Sequence, residues 1–324
     1  MGGMNQMNNH SAGSPFGFDA VTDPQHIRMF PELIEEGMSA TFSSSESDGA
    51  CIFAVGPTTV AAQFTVDESN RHPFMVQAAL DERVPGWVGK GKDAIVVSYS
   101  GCTRRMIDAY NALKGKGCRI HCITSGGMLE ELCKRDNFHL ISLPEGMTPR
   151  SAVALEIGLI SSLLKSLGAP YMHDALKRVL PSLKSYRDSL IADGSEVEGV
   201  AKAIKNKIPA IYSIVDSIAS AKRWKLSLDE DTGAPAFYGE IPEFDHNEIV
   251  GWADPNIHAR DLEMVILKIN SGIPEFEYTM KSMLEVLEEY GRKVLCVDFP
   301  DQDITLAELK AMLFGDMVSL TVRE

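Results

Sequence analysis

The chain has 324 residues, 44% of them hydrophobic and 23% charged, with a formal net charge of -14. That balance excludes disordered and fibrous classes and supplies apolar mass for about two ordinary domains. It also argues against a surface built to hold nucleic acid, which needs a concentrated Lys/Arg face, although a local basic pocket for a small phosphate ester stays open.

Residues 1–22 are rich in Met, Asn, Ser and Gly without periodicity and read as a flexible leader, with order expected from near Pro24. A helix over Gln25 to Glu36, interrupted or restarted at Pro31, ends at Gly37. Short apolar runs then alternate with amphipathic ones. Ala50 to Val55, Ala94 to Tyr99, Cys118 to Thr124 and Phe138 to Leu143 read as strands, with helices over Thr103 to Leu113 and Met128 to Lys134 between them. This order predicts an α/β fold with a mostly parallel sheet flanked by helices in three layers. Residues 150–189 form long helices, and the uniformly apolar Ala152 to Leu167 is expected between layers or in a subunit interface.

The polar stretch Ile191 to Glu198 marks the boundary, giving domains over 23–190 and 191–324. The second half opens with a helix over Val197 to Ile204. Strands follow at Ile208 to Tyr212, Met264 to Lys268 and Val294 to Phe299, with helices over Ser217 to Trp224, Phe276 to Tyr290 and from Leu306 onward.

In an open parallel sheet the turns after the strands face a common crevice. Ser98-Tyr99-Ser100-Gly101-Cys102-Thr103 places three hydroxyls around a glycine before a helix, which suits a phosphate cradle: the helix start supplies N–H groups and partial positive charge. A plain cap by Ser100 or Thr103 is the alternative. Thr58 and Thr59, after Gly56-Pro57, could face the same crevice or cap a helix. Ser125-Gly126-Gly127 reads as structural. Arg150, between a Pro-containing loop and a helix start, could hold a phosphate or a developing enediolate oxygen, or form a surface salt bridge. Glu230 and His246 lie in an acidic region after Trp224 that would ordinarily be a solvated loop. Apolar neighbours and a second carboxylate would raise the pKa of Glu230 and suit it to proton transfer.

Six cysteines, at 51, 102, 118, 122, 133 and 296, read as reduced thiols, and Cys118 with Cys122 lacks the second half of a zinc site. No basic segment followed by an apolar one opens the chain and no apolar run reaches bilayer length, so a cytoplasmic protein is expected, with no membrane partner.

From about Met29 to Val318 the chain resembles the bifunctional phosphoglucose/phosphomannose isomerase family, whose members carry two sugar isomerase (SIS) domains. The resemblance rests on Ser98 to Thr103, Pro149-Arg150, Ala221-Lys222-Arg223-Trp224, Glu230 with Ala234-Pro235-Ala236-Phe237, and Pro242-Glu243-Phe244-Asp245-His246-Asn247-Glu248. It implies that Ser98, Ser100 and Thr103, with Thr58 or Thr59, hold the substrate phosphate. Glu230 would move a proton between C1 and C2, Arg150 would stabilise a cis-enediol intermediate, and His246 would assist ring opening from the partner subunit of a homodimer. The implied substrate is glucose 6-phosphate, with mannose 6-phosphate as a second aldose, and no metal or organic cofactor is implied.

Three segments depart from the family pattern. Val55-Gly56-Pro57-Thr58-Thr59 replaces a glycine-rich turn. Cys102, Arg104 and Arg105 replace an asparagine and two acids, and the arginines are expected either to attract the anionic substrate or to form a charge pair. The segment Phe314 to Leu320 resembles the family's GD, two residues, S helix, while the later DPTP turn and lysine-bearing helix have no counterpart before Glu324, so a second domain shortened at its C-terminus and weaker mannose 6-phosphate activity are expected. A sugar-phosphate-binding regulatory protein with little or no turnover is the other reading.

Overall fold

The structure, a computed structural model, describes residues 23–253 and 261–323; the leader expected over 1–22 lies outside them. The first half contains strands β1 (Gly49–Phe53), β2 (Met75–Ala79), β3 (Asp93–Val97), β4 (Arg119–Thr124) and β5 (His139–Ser142). Its helices are α1 (Pro24–Arg28), α2 (Phe30–Met38), α3 (Thr59–Ser69), α4 (Arg104–Gly115), α5 (Gly127–Arg135), α6 (Pro149–Ser166) and α7 (Tyr171–Ala192). The second half contains β6 (Ile208–Ile214), β7 (Phe237–Ile241), β8 (Leu262–Ile269) and β9 (Leu295–Phe299), with α8 (Ser195–Ile204), α9 (Ile218–Thr232), α10 (Glu243–His246), α11 (Glu248–Ala253), α12 (Pro274–Glu289) and α13 (Ile304–Arg323).

Every strand pairing is parallel, in the orders β2-β1-β3-β4-β5 and β7-β6-β8-β9. The α/β reading therefore holds, and both sheets start in the middle, go one way for a single strand and then turn back. Such a reversal opens a crevice beyond the strand ends, between β1 and β3 in the first sheet and between β6 and β8 in the second.

β1 and β3 are buried at every position, as expected of central parallel strands covered on both faces. The strands that the sequence reading lacks, β2 and β7, lie at sheet edges and both include exposed positions, so they carry no apolar run to mark them. The acidic region after Trp224 is not a loop: α9 continues to Thr232 and carries Glu230 and Asp231 in its last turn. Gly233, in the left-handed conformation, then closes the helix.

Two helices set the relation between the halves. On α6 nearly every residue is buried, and its Gly158 touches Gly37 of α2. A β-carbon on Gly158 would lie 2.2 Å from the Ile34 carbonyl oxygen, and one on Gly37 2.4 Å from that of Leu155. On α13, Leu306, Leu309, Met312 and Leu313 enter the core of the first half, while Ala307, Ala311, Phe314 and Val318 enter that of the second. A helix apolar on two faces must lie between two layers. Polar contacts tighten the same seam. Asp67 of α3 accepts the Ala219 N–H at the start of α9 (3.0 Å), and Thr305 donates to Glu68 (2.8 Å).

Glu156 of α6 has no exposed surface and neither carboxylate oxygen is hydrogen bonded among the described residues; burial pushes its pKa from 4.5 to about 8, opposed by Arg223. A carboxyl raised on folding binds its proton more tightly in the native state, so its contribution is complete below pH 4.5 and is lost as pH rises through about 8. Glu156→Gln should therefore unfold at higher denaturant concentration than the parent at pH 8 and should flatten the fall in stability between pH 5 and 8. Parallel pH dependences for the two proteins would refute this assignment.

Candidate active site

The chain leaves β3 through the hydroxyl turn and enters α4. Ser98 is buried and its Oγ has no hydrogen-bond partner among the described residues. Thr103 occupies the N-cap position of α4, but its side chain does not cap the helix, so no side chain closes off the first N–H groups. Ser100 is exposed and accepts from the Cys102 N–H at 3.3 Å, which is a turn contact. The simple cap is therefore not what these hydroxyls make.

The turn is held from behind by Ser125-Gly126-Gly127, the segment expected to be structural. Gly101 has φ +60°, and a β-carbon there would lie 1.8 Å from the Gly126 carbonyl oxygen. Leu129 N–H donates to Gly101 O (2.8 Å), and Ser125 N–H donates to Tyr99 O (2.9 Å). Tyr99 extends the arrangement sideways: its hydroxyl donates to Pro144 O (2.9 Å) and accepts from Met147 N–H (2.8 Å). The loop leading to Arg150 is thereby fastened to the hydroxyl turn.

Thr58 and Thr59 sit in the turn between β1 and α3, and that turn packs against α6. Thr58 is buried and donates to Val55 O (3.0 Å), and Thr59 donates to Gly56 O (2.7 Å). Both hydroxyl protons point back into their own turn, unlike those of Ser98 and Thr103. Arg104 pairs with Asp108 at 2.8 Å and Arg105 with Glu82 at 3.7 Å, so the two arginines make surface charge pairs.

Arg150, at the start of α6, is completely buried and reaches the last turns of α9. Its Nη2 lies 2.7 Å from Asp231 Oδ1, its Nη1 donates to Ser227 O (3.0 Å), and its Nε lies 3.7 Å from Glu230 Oε2. The bland reading of Arg150 as a surface ion pair is excluded by that burial. The Glu230 side chain keeps 34% exposure. Burial raises its pKa above the ordinary carboxylate value, Arg150 and Arg223 oppose the rise, and Asp231 and Asp229 reinforce it. A carboxylate that is open on one side and destabilised in its charged form can accept a proton at a useful pH.

His246 ends α10 and is exposed, and among the described residues no hydrogen bond or ion pair joins it to Glu230 or Arg150. Its neighbours fasten the segment instead. Asn247 donates to Glu243 (2.9 Å), while Tyr212 donates to Glu248 and accepts from Trp252 Nε1 (3.0 Å). Within one chain, then, Glu230 and Arg150 come together, and His246 is exposed with no bond to either among the described residues.

Five residues without a role in the sequence reading complete this region. Arg223 pairs with Asp316 (2.8 Å) and donates to Arg150 O (2.9 Å), Asp316 accepts from Ser227 (2.5 Å), and Ser319 donates to Asp231 (2.6 Å). The available signal was a charge within an apolar helical stretch, Arg223 beside Ala221 and Trp224, and Asp316 between Phe314 and Val318. Such charges are buried in pairs. Among the described residues no group of three or more His, Cys, Asp or Glu could hold a metal ion, and no helix is long and apolar enough to cross a membrane.

The architecture is shared with proteins that handle sugar phosphates. The C-terminal domain of glucosamine-fructose-6-phosphate aminotransferase from Francisella tularensis superposes with a TM-score of 0.68 at 14% identity, covering 92% of this chain and 94% of that one. Tagatose-6-phosphate ketose/aldose isomerase from Escherichia coli gives 0.65 at 13% identity, covering 92% and 91%. Residues 195–322 match the family model described as the bacterial phospho-glucose isomerase C-terminal SIS domain. The fold is thus two SIS-type domains in tandem. The bifunctional phosphoglucose/phosphomannose isomerase of Aquifex aeolicus is 31% identical over 255 residues, 79% of this chain and 76% of that protein, and that of Caldicellulosiruptor bescii is 29% identical over 261 residues. The chain belongs to the bifunctional phosphoglucose/phosphomannose isomerase family.

Gly101→Ala should shift a glycine-only geometry and push the turn from Gly126. A loss of about 1–3 kcal/mol in denaturant unfolding is expected, together with weaker retention of inorganic phosphate.

Proposed function

We propose that this protein interconverts glucose 6-phosphate and fructose 6-phosphate, a step shared by glycolysis and gluconeogenesis, and accepts mannose 6-phosphate as a second aldose, working as a cytoplasmic homodimer. The observation that carries the reading is Glu230, raised in pKa, 34% exposed, and 3.7 Å from the buried Arg150. Ser98, Ser100, Thr103 and the start of α4 hold the phosphate, with Thr58 and Thr59 joining when their hydroxyls rotate away from their own carbonyls. Glu230 takes the proton from C2 of the open-chain aldose and returns it to C1. The positive charge of Arg150 stabilises the cis-enediol stage through a low-dielectric interior without needing to touch it. The exposure of His246, with no bond to Glu230 or Arg150 among the described residues, supports contribution of His246 of the partner subunit to ring opening. The six unpaired cysteines suit a reducing compartment. The proton transfer uses a base and a fixed cation, and no metal or organic cofactor enters it.

A regulatory phosphosugar-binding protein is favoured by one feature: Thr58 and Thr59 already satisfy their hydroxyls internally. Coupled assays with glucose 6-phosphate and mannose 6-phosphate separate the two. The isomerase reading expects conversion by the parent and a loss of about 100-fold or more in Glu230→Gln. Binding without conversion by the parent would establish the regulatory protein, and conversion unchanged in Glu230→Gln would remove Glu230 as the base. Because Glu230 must be ionised to act and its pKa is raised, the rate should climb with pH through a midpoint above the ordinary glutamate value.

A further inference from the structure

Consecutive carboxylates on the last turn of α9 share one arginine. Asp231 lies 2.7 Å from Arg150 Nη2 with its side chain 2% exposed, whereas Glu230 lies 3.7 Å from Nε, which has no hydrogen-bond partner among the described residues, and keeps 34% exposure. Asp231 is itself fixed from the other side, accepting from Ser319 Oγ at 2.6 Å and lying 3.6 Å from Arg323 Nη1, both on α13. Which carboxylate owns Arg150 decides what the other can do. A glutamate in full contact with a buried arginine is a strongly stabilised anion and a poor proton acceptor, while a glutamate at longer range from an arginine that a nearer acid shares keeps more of its basicity.

We propose that Asp231 is a positioning residue which claims Arg150 and so leaves Glu230 free to take up the substrate proton. The proposal rests on Glu230 being the base. The other charges that reach this carboxyl are accounted for. Arg223 of the same helix is held by Asp316 of α13, and Asp229 is paired with Lys225. Glu156 of α6 faces Arg223. On α3, Asp67 binds the opposite end of α9 through the Ala219 N–H, and Glu68 binds Arg71 and Thr305. On β7, Glu240 faces Lys222. Arg150 is thus the cation whose allegiance is decided locally, and Asp231 decides it.

The test is Asp231→Asn in the full chain, read in two ways. The first is the acid limb of the kcat/KM pH profile, and the second is direct titration of the Glu230 carboxyl by carbon-13 NMR, assigned with Glu230→Gln. With its counter-ion gone, Arg150 should close on Glu230, moving both midpoints down by about one pH unit or more and lowering kcat at neutral pH about tenfold. Asp231→Glu, which keeps the charge, should recover part of both. Ser319→Ala, which loosens Asp231 without removing it, should move both in the same direction by less, and it supplies the measurement if Asp231→Asn does not fold. A fall in kcat with the Glu230 titration unmoved would overturn the proposal, because a merely structural aspartate would act that way. The NMR titration needs no turnover, so a downward shift in Asp231→Asn, beside a parent that converts no sugar phosphate, would uphold the electrostatic arrangement while defeating the isomerase reading.

Discussion

Two arginines and two aspartates lie in contact inside the seam between the halves of the chain: Arg150 with Asp231, and Arg223 with Asp316. Arg150 comes from α6, Arg223 and Asp231 from α9, and Asp316 from α13, so this lattice joins the first domain's buried helix to two helices of the second. Removing one member of a buried pair leaves an uncompensated charge and costs about 3–5 kcal/mol. The same lattice fixes the position of Glu230 relative to Arg150. Stability and site geometry therefore depend on one set of contacts, and the rigidity that a proton-transfer site needs comes from helices that are already locked together.

Close backbone approach makes that lattice possible. Gly37 and Gly158 let α2 and α6 touch, and Gly315 lets α13 lie on the Trp224 indole, where an added β-carbon would come within 2.3 Å of the ring. Trp224 in turn donates from Nε1 to Ala311 O (2.7 Å), so its one polar atom is satisfied inside the core. These contacts bring α6, α9 and α13 near enough for short side chains to meet. With larger residues at the crossings the charges would stand apart and water would enter.

The anion-facing part of the proposed site is built differently. An acidic protein, with a net charge of -14, offers hydroxyls and the N–H groups at the start of α4, while Arg104 and Arg105 are engaged by Asp108 and Glu82. Recognition by dipoles holds a small phosphate ester in a defined place without a broad basic field that would also attract polyanions. The buried Arg150 guanidinium lies 3.7 Å from Glu230 Oε2.

Local pattern determined much of this protein by itself. The central strands were legible because strands covered on both faces must be continuously apolar, and the turn between β3 and α4 was legible because a glycine after an apolar run and before an amphipathic one marks a break in the chain. The edge strands β2 and β7 left no such mark, since half-exposed residues need not be apolar. The acidic stretch around Glu230 read as a loop because its charges are opposed by Arg150, which lies some eighty positions earlier in the chain. Only tertiary contact could show that Asp231 binds that arginine, that Glu230 is left partly open beside it, and that among the described residues no hydrogen bond or ion pair joins His246 to either. Those outcomes depend on which helices touch, and the side chains that decide it are far apart in sequence.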